Sequence, residues 1–165
     1  MKTLKKLGTV LLVGAMLFSL AACGKSAKKI SSKEFKETLE KEEYSVVDLG
    51  ADEDSKIKEQ FLAASKDESI ICTYYTFTDT DTATKFFDDS YNQMKEAEKM
   101  DTFTGSVSKS GTKYTVNATV EEDGEKEETY MVCVRSGEMV IAVMTESVDN
   151  DSVKAVDSVV NKLCY

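Results

Sequence analysis

Between residues 113 and 120 apolar and polar side chains alternate without a break. Tyr114, Val116, Ala118 and Val120 share one parity, and Lys113, Thr115, Asn117 and Thr119 share the other. That period of two marks a strand with one buried and one wet face. The chain around it is punctuated by Ser110-Gly111, Asp123-Gly124 and Ser136-Gly137, pairs suited to tight hairpins. Four strands are therefore predicted in succession, over 103–109, 113–120, 128–135 and 139–146, joined into an antiparallel meander.

Helices flank this meander. Ser31-Ser32-Lys33-Glu34 fits a capping box, with Phe35 and Leu39 as the buried stripe of a first helix. Residues 44–49 read as a short strand. Ile57, Phe61 and Leu62 suggest a short helix, and 69–78, dense in β-branched and aromatic residues, a central strand. Residues 80–100 carry the longest helical pattern, Ala83, Phe86, Phe87, Met94 and Ala97, which Asp79 or Thr80 can cap. Val153, Val156, Val160 and Leu163 line a last helix that Asn150 can cap. The expected fold is α+β: an antiparallel sheet of about five to six strands containing the four-strand meander, with helices mainly on one face.

Charge divides the chain. All 30 Asp and Glu, but only 15 of the 21 Lys and Arg, lie from Ser31 onward, so residues 31–165 form one acidic domain of about −15. Such a domain lacks the basic surface that nucleic-acid binding needs. With no His in the chain, neither a His general base nor a His-ligated metal is available. Neither a cofactor nor a metal is expected. After Cys23 the remaining cysteines are Cys72, Cys133 and Cys164, an odd number with no Cys-x-x-Cys pair. Buried reduced thiols are the expected state, with one disulfide or a reactive thiol as alternatives.

The opening residues follow another logic. Lys2, Lys5 and Lys6 precede a stretch over 7–22 with no charge, 16 residues against the ~20 of a membrane-spanning helix. It closes on Leu20-Ala21-Ala22-Cys23. This resembles the lipobox of bacterial lipoproteins. The resemblance implies cleavage between Ala22 and Cys23, a diacylglycerol on Cys23, and a protein anchored on the extracytoplasmic face of the cell membrane. Residues 1–22 are then the signal peptide, and 23–30 are the lipidated Cys and a short basic spacer. The general size also resembles small lipoproteins of Gram-positive bacteria.

No catalytic constellation emerges. Asp79-Thr80-Asp81 opens like a calcium loop but continues with Ala83 and Thr84, so helix capping is the better account. Asp149-Asn150-Asp151 reads as another cap, and Asp52-Glu53-Asp54 as a solvated loop. The acids over 121–128 sit on a hairpin, where charge protects exposed edges. Tyr74, Tyr75 and Tyr130 lie on predicted strands, and the neighbours Tyr74 and Tyr75 must point to opposite faces. These three are the expected residues of a ligand or partner face. The expected function is a non-enzymatic binding module, its partners being membrane lipid through Cys23 and a protein or small ligand. The alternatives are an envelope enzyme working through carboxylates and a loose divalent-cation binder.

Overall fold

The computed structural model describes residues 26–122 and 124–165. The expected signal segment and the expected cleavage and lipidation residues, Ala22 and Cys23, lie outside these residues. The described chain folds as α1 (Ser32–Lys41), β1 (Ser45–Asp48), β2 (Ile57–Ala64), β3 (Ile70–Phe77), α2 (Thr80–Ala97), β4 (Phe103–Ser110), β5 (Lys113–Glu122), β6 (Glu125–Ser136), β7 (Met139–Thr145) and α3 (Asn150–Cys164). The fold is α+β, and the strands make one open antiparallel sheet in the order β1-β2-β3-β7-β6-β5-β4.

Local chemistry starts each helix. Ser31 and Glu34 close the capping box of α1 in both directions. Asp79 accepts the Thr82 N–H at 2.7 Å to begin α2. Asp149, one residue before the expected Asn150, accepts the Asp151 and Ser152 N–H groups to begin α3. The meander runs as hairpins from β4 to β7 with its alternation intact, and Tyr114, Val116 and Ala118 are all within 1% of full burial.

The sheet has seven strands rather than five or six because residues 57–64, expected as a short helix, form β2. Their spacing of apolar residues fits a helix as well as a strand. The pairing separates them: Phe61 and Ala63 face one side with Tyr74 and Cys72, while Leu62 and Ala64 face the other with Thr73 and Ile71. A strand apolar on both sides has no period of two to read.

Two of the three helices share a face, but the longest does not. Phe35 and Leu39 of α1 and Val156, Val160 and Leu163 of α3 pack with Phe61, Tyr74, Val132, Ile141 and Val143. Ala83, Phe87 and Ala97 of α2 pack on the opposite face with Phe77, Val107, Tyr114, Val116, Cys133 and Val140. Helices therefore lie mainly on one face, as expected, with α2 alone on the other, and each helical layer covers part of its face.

Residues 27–30, expected as part of a basic spacer over 23–30, pack against the domain. Ile30 is 3% exposed and belongs to the core. Lys28 N donates to Cys164 O at 2.8 Å. Ser136 Oγ donates to Ala27 O at 2.8 Å, Tyr74 Oη to Ile30 O at 3.1 Å, and Lys29 pairs with Glu138 at 2.9 Å. Among the described residues, contacts with the domain thus reach back to Ala27. One end of the sheet, the near end, gathers this segment, the β1–β2, β3–α2, β4–β5 and β6–β7 reversals and the C-terminus of α3. The far end gathers the α1–β1, β2–β3, α2–β4, β5–β6 and β7–α3 reversals.

Candidate functional site

Helix α2 crosses its face of the sheet from the end of β3 toward β4, leaving the other half of that face uncovered. The register aligns two rows there. Val47, Leu62, Thr73 and Ala142 make one, and Ser45, Ala64, Ile71, Met144 and Met131 make the other. Val47 is 52% exposed, and Leu62, Ile71, Met144 and Met131 are half-buried. Leu62, Ile71 and Met144 belong to neither helical core. Neither row contains a charged residue, in a domain that carries 30 acids.

Tyr75 stands where this surface meets α2. Its ring lies 5.3 Å from that of Phe86 and 6.3 Å from that of Phe77. Burial raises the pKa of its hydroxyl, with the neighbouring Gln60 and Thr73 drawing it back. Phe86, 36% exposed, extends the aromatic wall onto the helix. The arrangement suits an apolar or uncharged ligand laid across the strands.

Of the three tyrosines expected on a binding face, only Tyr75 reaches the uncovered surface. Tyr74 is 1% exposed beneath α1, its ring 5.0 Å from that of Phe35. Tyr130 is 8% exposed beneath α3, where its hydroxyl meets Asp157 Oδ1 at 3.1 Å. Both have even parity with the residues that face α1 and α3, so they are corrected to core residues. Leu62, Ile71 and Met144 escaped the sequence reading because apolar strand residues look like core. The available signal was the double-sided apolar character of 70–77 and 139–145, which helices on one face alone leave partly uncovered.

A second uncovered area, on the opposite face, is polar. Thr104, Ser106 and Ser108 of β4 lie beside Thr119, Asn117 and Thr115 of β5. Asn117 Oδ1 is buried there with no hydrogen-bond partner among the described residues.

The acid clusters satisfy local backbone. Asp52 accepts from Asp54 N, Ser55 N and the Ser55 hydroxyl. Asp67 accepts from Ser65 and Ser69, which hold its carboxyl down to about 2. No group of three or more His, Cys, Asp or Glu placed to hold a metal occurs among the described residues. Cys72, Cys133 and Cys164 are buried free thiols, and burial pushes each up to about 12. At neutral pH they are neither ionised nor accessible, so they supply no thiolate nucleophile. Among the described residues no helix is long and apolar enough to cross a membrane.

No protein-family model and no curated protein matches the chain. Among solved structures it is similar to the extracellular domain of PknH from Mycobacterium tuberculosis. The two are 12% identical, with 81% of this chain and 91% of that one covered and a TM-score of 0.48. A likeness at that level carries no argument about function.

Proposed function

We propose that this protein is an extracytoplasmic lipoprotein, anchored through Cys23, that binds a protein or small ligand of the cell envelope on the uncovered half of its sheet beside α2. The anchoring rests on Leu20-Ala21-Ala22-Cys23 and the uncharged stretch before it. Two acyl chains hold a membrane stably where one does not, and a diacylglycerol supplies two. Binding rather than catalysis is the reading that the chain's chemistry favours, with no His and with every described thiol buried.

The observation that carries the binding reading is the pair of neutral rows that cross β1, β2, β3 and β7, the second reaching Met131 on β6. Soluble domains rarely leave contiguous apolar surface in water, and where they do it marks an interaction site. Here aliphatic and thioether side chains share one plane with an aromatic wall at its border. Met131 and Met144 add side chains that adapt to a partner's shape.

The test is site-directed photo-crosslinking in the producing cells. A benzophenone side chain at Ile71 or Leu62 of the full chain is expected to give a discrete adduct, and the same group at Ser106, on the polar surface, none. Absence of an adduct from Ile71 and Leu62, or an equal one from Ser106, would overturn this assignment of the binding face.

A further inference from the structure

We infer that the domain stands on the membrane by its near end, with the β6–β7 turn and the C-terminus of α3 toward the lipid and the β5–β6 hairpin pointing away. This rests on the reading of Cys23 as the lipidated residue and adds an orientation to it.

The stretch from Cys23 to the domain is short. Ala27 is already fixed to Ser136, and Lys28 to Cys164. Four Cα steps separate Cys23 from Ala27. At no more than ~3.6 Å each they reach at most ~14 Å. Strand β6, of 12 residues, runs from the far end to the near end. At ~3.3 Å per residue it spans about 40 Å. A near end tied within ~14 Å of the headgroups excludes the inverted orientation, which would lift it by the length of that strand.

Charge opposes the domain lying on its side. Every far-end reversal carries exposed acid: Glu43, Asp67, Asp101, Glu125 and Asp149 stand on the five. The β5–β6 hairpin extends past the end of β7, whose Thr145 pairs with Tyr130, five residues short of Glu125. The near end matches its acids, Asp52, Glu53, Asp54, Asp79, Asp81 and Glu138, with Lys28, Lys29, Lys56, Lys58, Lys113 and Arg135. An anionic leaflet attracts cations close to its surface and repels acids. The acidic end is therefore held out and the balanced end is tolerated at the lipid.

The orientation is read by energy transfer from the full lipidated chain. Single cysteines for a dye are placed at the near end (Thr112→Cys) or the far end (Lys126→Cys). The three native buried thiols stay unlabelled. Each protein is extracted, labelled and reconstituted into phosphatidylcholine–phosphatidylglycerol vesicles with an acceptor on the lipid headgroups. Transfer is expected to be several-fold greater from residue 112 than from residue 126. A flexible Gly-Ser insertion of about 20 residues after Gly24 should shrink that ratio toward one. Equal or reversed transfer in protein that floats with the vesicles overturns the orientation and leaves the anchor standing. An unchanged ratio after the insertion overturns the short tether as its cause. Protein that fails to float and lacks the diacylglycerol mass overturns the anchor and this inference together.

Discussion

Tyr74 and Tyr75 are neighbours in the chain and serve opposite layers of the molecule. Tyr74 sits under α1 with Phe35 and Phe61, and Tyr75 borders α2 and the uncovered rows. The same parity rule gives a sharp test on β5. Val116 is 1% exposed and packs toward α2, while Thr115, one residue earlier, is half-buried on the polar area. Val116→Asp loses an aliphatic burial of about 1.5–3 kcal/mol and adds an unpaired buried carboxylate, so more than about 3 kcal/mol should be lost. Thr115→Asp should cost no more than about 1 kcal/mol, near the range of surface substitutions. Urea unfolding of both variants measures the difference. Equal large losses would mean that β5 is covered on both sides and that the polar area is not open.

At the scale of elements, the two helical layers predict two separable cores. Phe87 of α2 and Leu163 of α3 are each 1% exposed, on opposite faces of the sheet. Phe87→Ala should cost about 3–5 kcal/mol and Leu163→Ala about 2–5 kcal/mol. Since the sheet separates the sites, the double variant should cost the sum within about 0.5 kcal/mol. Strong non-additivity in denaturant unfolding would show that the layers are coupled through a shared core. The elements themselves were largely legible. Alternation and Gly-bearing turns marked β4 to β7, and caps marked α1, α2 and α3 within a residue. Strand β2 was not, since Ile57, Phe61 and Leu62 satisfy a helical spacing and only tertiary pairing decides. The side on which α2 lies was not legible either. On β3 both parities are apolar, Ile70, Cys72 and Tyr74 against Ile71, Tyr75 and Phe77, so no residue there announces which face meets which helix. The candidate surface suffered most from this, because its residues differ from core only in what fails to cover them. Edge protection was partly visible in the acids of the β5–β6 hairpin. The device on edge strand β4, Glu98 accepting the Val107 N–H at 2.9 Å, needed the structure.

The molecule as a whole combines a proposed anchor at Cys23, domain contacts that reach back to Ala27 four residues later, and a neutral surface that runs beside α2 from one edge of the sheet toward its centre. Strands stand along the membrane normal in the inferred orientation, so the neutral rows face sideways, parallel to the lipid plane. A partner would then approach from beside the domain, among other components of the envelope surface, and the acidic hairpin would be the part farthest from the membrane. Every part of that geometry depends on the lipid at Cys23, and the intact mass of the protein extracted from membranes tests it most directly. The account predicts loss of residues 1–22 and a diacylglycerol added to Cys23, with Cys23→Ser abolishing both the added mass and partition into detergent. A chain that retains Met1, or a mature protein whose mass and partitioning are unchanged by Cys23→Ser, would contradict it.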